Sequence, residues 1–349
     1  MTDAVSRHIQ AARIDIVRRV LVTVAALVVF RFASIIPIPG IALDDPSFAK
    51  HDFLQRLSFM AVGLIAWVSA VTLAELVVLL LPPRLTSQFT HEGHANPFAL
   101  PIVVFAFAMS ALQGYGIAVA LEQMRTLVVD PGFSFRLVTS ISMMTGTAFA
   151  VCLARMIQTA GVGWGFWVLW AALGLDNLGI EAARLIAMVQ QGAIGPLSAL
   201  AVGAGAVATI AGAVLLLLAR RNMGLHKAEP IVWPIHLYAL VIPWIGVLYG
   251  VVADGLFEQE RAFEMLLPER PIGAILAALL IAAFVWRMTS RERGRPFSLP
   301  TTALLLMALA ASLIAKHATG GLWFPAATLM LVSAVGTAIV TTICERWNS

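Results

Sequence analysis

Residues 30–40 read Phe30-Arg31-Phe32-Ala33-Ser34-Ile35-Ile36-Pro37-Ile38-Pro39-Gly40, "FRFASIIPIPG". The stretch closes an apolar run long enough to cross a bilayer, carries an arginine inside that run, and leaves it through two prolines. Pro37 and Pro39 each lack a backbone donor and push the preceding residue out of the helical region, while Gly40 tolerates positive φ. It reads as a membrane helix with an intramembrane charge, followed by a rigid, extended exit.

The rest of the chain agrees with a membrane setting. Of 349 residues, 60% are hydrophobic and 12% charged, with a mean hydropathy of +0.89, more apolar surface than a soluble domain can hide. A bilayer core of ~30 Å is crossed by ~20 residues at 1.5 Å each. Ten apolar segments of suitable character run over residues 18–38, 58–82, 98–121, 137–158, 163–177, 195–219, 235–255, 271–288, 299–316 and 322–344. Lipid offers the backbone no hydrogen-bond partner, so each is expected to be a helix. The predicted class is an all-α integral membrane protein of about ten transmembrane helices. The first twenty residues are polar and arginine-rich, so no cleavable signal is expected. Cys152 and Cys344 read as small packing residues rather than a disulfide.

Charge fixes the expected orientation. Arg7, Arg13, Arg18, Arg19, Arg84, Arg155, Arg220, Arg221, Lys227, Arg287, Arg291, Arg293, Arg295 and Arg346 fall on one set of connections. The other set holds Asp44, Asp45, Asp52, Glu122, Asp130, Asp176, Glu181, Asp254, Glu258, Glu260, Glu264 and Glu269. The basic set belongs in the cytoplasm, which puts both termini there. Between the fifth and sixth segments, "LGIEAARLIAMVQQG" (178–192) has the spacing of an interfacial helix. It joins halves at 1–190 and 191–349, five segments each, starting from opposite sides as inverted repeats do.

Few side chains suggest chemistry. Arg31 and Glu75 lie at membrane depth, where an ionised group costs about 2.5–3.5 kcal/mol, so each should be paired or face water. His91 and His94 in "HEGHANP" have a spacing some metal sites use, but no cysteine or second carboxylate cluster joins them; they read as solvated loop residues. Gly161 to Gly165, "GVGWG", lacks the lysine and preceding strand of a phosphate cradle, and its glycines should open a helix or admit a close backbone. Pro243 falls in mid-segment and should kink or break the seventh helix. No Ser-His-Asp set, aspartate pair or ligand cluster stands out. An enzyme, a cofactor, a metal and a nucleic-acid partner are not expected.

The first-helix ending, "RLSFMAVGLIAWVSAVTLAEL" (56–76), "MTGTAFAVCLARMIQTAGVGWGFWVLW" (144–170), "YALVIPWIG" (238–246) and, more thinly, "GGLWFP" (320–325) resemble the SecY family of protein-conducting channels, in order and along nearly the whole chain. The resemblance implies two five-helix halves around an hourglass pore, with a lateral gate between the second and seventh helices. It places the pore ring at Leu64, Val68, Phe166, Trp170, Ile245 and Ala326, a plug-like segment at 41–57, and gate positions at Glu75 and Pro243. Arg31 would sit inside the bundle, with Pro37, Pro39 and Gly40 turning the chain toward the plug. It also implies a polypeptide substrate, a clamp subunit of the SecE type, a lipid-facing gate and residence in the cytoplasmic (inner) membrane.

Several positions depart from the family. Its long basic loops, which dock SecA or a ribosome, shrink here to "RRNMGLHKAEP" and "RERGRPFSLP", leaving both partners open. Trp164 stands where an asparagine is usual, Arg155 where an acid is, and Glu75 where an amide is. These changes point to a shortened paralogue that moves or inserts a restricted set of polypeptides. Two other readings stay open: a scaffold that has lost transport, and a transporter of small or lipid-linked molecules.

Overall fold

The computed structural model describes residues 2–41, 58–88, 90–91, 94–123, 127–225, 229–252, 270–291, 295–319 and 326–348. These contain ten long helices: α1 (Thr2–Ala33), α2 (Phe59–Leu80), α3 (Leu100–Glu122), α4 (Phe133–Ala160), α5 (Gly165–Gln190), α6 (Pro196–Asn222), α7 (Glu229–Val252), α8 (Pro271–Arg291), α9 (Ser298–Thr319) and α10 (Ala326–Asn348). A one-turn helix, Pro83–Thr86, and a two-residue hairpin, Thr90–His91 with His94–Ala95, lie between α2 and α3. The protein is all-α and multi-spanning. Among the described residues, six helices (α2, α3, α4, α6, α8 and α10) are long and apolar enough to cross a bilayer, rather than the ten expected. In α1 and α5, one continuous helix joins an apolar stretch to a charged one.

By internal packing the chain divides into two units, Met1–Leu173 with Ile339–Ser349, and Gly174–Ala338. In the first, α2, α3 and α4 pack on one another and α1 lies along α4. The tightest crossing is between α2 and α4. A Cβ on Gly63 would collide with the backbone of Gly146 and Thr147, and one on Gly146 with the carbonyl of Phe59. Thr147 Oγ1 donates to Gly63 O at 3.1 Å, which ties the two backbones together. Lipid tails are as apolar as leucine, so helices associate in a bilayer through such close contacts and hydrogen bonds.

The stretch at 30–40 is bolted down. α1 stops at Ala33, short of the expected 38, and Ser34 Oγ donates back to Phe30 O at 2.9 Å. Pro37 then bridges to Ser58, and Ile41 to Val128, both antiparallel. Gly40 takes φ +89° and its carbonyl accepts from Val129 N–H at 3.1 Å. Ile38 and Ile41 sink into a cluster with Ala118, Leu121, Phe135 and Met143 from α3 and α4. The ends of those two helices are closed by Arg136, whose Nε and Nη2 donate to Glu122 Oε2 at 2.8 and 2.6 Å. Apart from Ile41, the plug-like segment expected at 41–57 lies outside the described residues, as does "GGLWFP" (320–325).

In the second unit α7 packs on α8, α6 on α9, and α8 on α9. Their shared core includes Ala213, Tyr238, Ile281, Val285, Leu305 and Met330. Three expectations need correction. The segment 178–190 is no separate interfacial helix but the second half of α5, because its Ala, Leu, Glu and Arg residues favour helix; α5 ends where Ala193 N–H donates to Met188 O at 2.9 Å. Of the kink or break expected at Pro243, the break does not occur: α7 is one helix past it, since one proline removes a single bond from a ladder that its neighbours hold. Cys152 and Cys344 are free and exposed rather than packed.

Gly63→Val and Gly146→Val should each destabilise the protein by about 3 kcal/mol, because backbone cannot yield to the new side chain. Gly116→Ala, where a Cβ would meet nothing within 4 Å, should not destabilise the protein and should favour the helix slightly. Thermal unfolding of the three variants in detergent checks this.

Candidate constriction and its anchor

The ring positions on the first unit are buried. Leu64 is fully covered on α2 and Val68 half-buried; on α5, Phe166 is 1% and Trp170 9% exposed. Phe166 and Trp170 lie with ring centroids 5.7 Å apart, and Trp167 stacks on Trp170 at 5.6 Å and 21°. Phe166 also meets Trp67 of α2 nearly edge-on, at 5.0 Å and 77°. Trp67 went unnoticed in the sequence, although it lies one turn beyond Leu64 and beside Val68. In the second unit Ile245 is half-buried, and Ala326, 2% exposed, belongs to the core.

The start of α5 is set by the turn at 161–165. Gly163 takes φ +89° and Trp164 φ +59°. Asparagine visits that left-handed region readily and tryptophan does not, so the asparagine that the resemblance implies at this position would suit the turn better. The turn is held from three sides: Arg19 Nη1 donates to Gly161 O at 3.1 Å, Val162 N–H to Thr23 Oγ1 at 3.0 Å, and Gly165 N–H to Gln158 Oε1 at 2.9 Å. A Cβ on Gly165 would strike the carbonyl of Ala154. The alternating glycines thus seat α5 against α4, as one of the two readings of "GVGWG" anticipated.

Glu75, fully buried near the end of α2, has both oxygens occupied. His94 Nδ1 lies 2.8 Å from Oε1, and Ala95 N–H donates to Oε2 at 2.6 Å. His94 is therefore no solvated loop residue. The hairpin, in which His91 opposes His94, turns His94 inward and leaves His91 exposed. The same connector reaches α2 again lower down: Trp67 Nε1–H donates to Pro97 O at 3.0 Å. Phe98 packs on Trp67 with centroids 5.7 Å apart, its amide donates to Asn96 Oδ1 at 3.1 Å, and the guanidinium of Arg155 sits 5.8 Å above its ring. Residues 94–98 thus clip α2 at two points two turns apart.

The other singled-out residues lie apart from this cluster. Arg31 is on an exposed face of α1 rather than in the unit's interior; Pro37, Pro39 and Gly40 form the exit described above. Pro243 belongs to α7 in the second unit. Among the described residues, no group of three His, Cys, Asp or Glu side chains could hold a metal ion.

No family model matches the chain. Among curated proteins it is similar to the protein translocase subunit SecY of Rickettsia bellii, 27% identical over 233 residues, or 60% of this chain and 53% of that one. It is likewise similar to SecY of Escherichia coli (strain K12), 28% identical over 198 residues, 51% of this chain and 44% of that one. SecY of Buchnera aphidicola subsp. Acyrthosiphon kondoi gives 28% over 198 residues, 51% and 55%. The chain spans about half the length of the curated relatives it matches. The resemblance to SecY read from the sequence is borne out over 51–60% of the chain, where it was expected along nearly all of it.

His94→Ala would strip Glu75 of one partner while leaving the carboxylate buried, and should cost about 3 kcal/mol. Glu75→Gln should cost far less, because an amide can accept from Ala95 N–H and donate to a neutral His94. Unfolding midpoints of the two variants in detergent measure the difference.

Proposed function

We propose that this divergent SecY relative forms a protein-conducting channel in the cytoplasmic membrane, specialised for a restricted set of polypeptides. The observation that carries the reading is the burial of Phe166 against Trp67 and of Trp170 against Phe166, at positions the resemblance assigns to the pore ring. A lipid-facing pair would have argued against it. A narrow, greasy ring expels water and ions yet deforms around a passing chain. Leu64 and Val68 are its expected members on α2, with Ile245 and Ala326 as the remaining ones.

Short connections support specialisation. Only residues 223–228 separate α6 from α7, and 292–297 separate α8 from α9, which leaves little surface for SecA or a ribosome. Energy would then come from another motor or from partition of the substrate into lipid. A SecE-type clamp, a lateral gate near Glu75 and Pro243, a plug within 41–57, halves at 1–190 and 191–349, and cytoplasmic termini belong to the same proposal. One observation favours a second reading: the aromatic rings pack densely enough to block a pore for good, as in a scaffold without transport.

A photo-crosslinker placed at Leu64 or Phe166 in cells should capture a nascent or exported chain, whereas one at Val104, which is 57% exposed on α3, should not. Phe166→Gly with Trp170→Gly in proteoliposomes should raise ion leak on the order of tenfold. Absence of both adducts and leak would leave the scaffold standing.

A further inference from the structure

Trp67 stands between the connector and the candidate constriction. Its side chain is fully buried, and its one polar atom is committed to Pro97 O at 3.0 Å. A buried indole N–H needs such a partner, so the bond fixes the plane of the ring as well as satisfying it. From that fixed plane the indole presents itself nearly edge-on to Phe166 at 5.0 Å and 77°. Aromatic pairs prefer this arrangement because the positive edge of one ring meets the negative face of the other. Phe166 has no polar atom to orient it and takes its setting from neighbours.

The anchor is firm in turn. Pro97 lies between Asn96, whose Oδ1 accepts from Phe98 N–H at 3.1 Å, and Phe98, whose ring is covered by Trp67 on one side and approached by Arg155 at 5.8 Å. Two residues before Pro97, Ala95 is bonded to Glu75. A displacement of the connector therefore pulls on α2 at Glu75 and Trp67 together, and Trp67 carries it to Phe166.

We infer that Trp67 is the positioning residue of the closed constriction: anchored at the Pro97 carbonyl, it holds Phe166 in the sealing orientation and couples the α2–α3 connector to the seal. It touches no substrate and acts through Phe166. The inference rests on the channel reading above.

Ion flux through proteoliposomes of the full chain tests it with Phe166→Gly, Trp67→Ala, Trp67→Phe and the double variant Trp67→Ala/Phe166→Gly. Trp67→Phe keeps an aromatic edge but loses the bond to Pro97 O; it should still fold, with a modestly lowered unfolding midpoint, and leak about two- to tenfold more. Trp67→Ala should leak about as much as Phe166→Gly, and the double variant no more than either, since residues acting as one unit are not additive. Tight seals in both Trp67 variants beside a leaking Phe166→Gly would overturn this inference and leave the constriction intact. An additive double variant would overturn it as well, by showing that Trp67 acts apart from Phe166. A tight Phe166→Gly would overturn the constriction itself and this inference with it.

Discussion

The contact between α2 and α4 at Gly63 and Gly146 is the one on which the first unit depends. Apolar helices gain nothing in a bilayer by exchanging lipid for one another unless they pack more closely than lipid can. With no side chain at either point, the two backbones meet and Thr147 bonds directly to the Gly63 carbonyl. That seats α2 at a fixed depth and rotation. Leu64, Trp67 and Glu75 follow from it, because all three ride on the same rigid helix.

A second constraint acts on polar groups. A buried carboxylate without partners is too costly to keep, and in a membrane water cannot supply them. Glu75 meets this with one side-chain and one backbone donor from a connector that would otherwise be an ordinary loop. Arg19 and Thr23 do the same at the other turn, binding a carbonyl and an amide beyond the end of α4. Both cases convert a requirement for satisfaction into a mechanical tie between segments distant in sequence. The left-handed Trp164 persists for a related reason: the bonds on either side over-determine the turn and absorb the strain.

The resemblance to SecY gains content from these ties. The relatives named above match only part of their length to this chain. Glu75, Trp164 and Arg155 sit where the connector and the glycine turn are fastened. Glu75 is met by His94, and Arg155 by the ring and carbonyl of Phe98.

Much was legible along the chain. Apolar runs and proline punctuation identified a multi-spanning helical protein, and the blocks around Leu64 and Phe166 carried the resemblance to SecY. Such features depend on period, length and local propensity, which neighbouring residues carry unaided. Helix limits were less so: α5 continues through 190 because nothing between Asp176 and Gln190 breaks it, while the change in polarity suggested a boundary. The pairing of Glu75 with His94, 19 residues away, and of Trp67 with Pro97 and Phe166 left no trace in the linear order. Those contacts exist because the α2–α4 crossing and the hairpin close loops in space. A histidine that looked solvated and a tryptophan that went unnoticed acquire their parts from that closure.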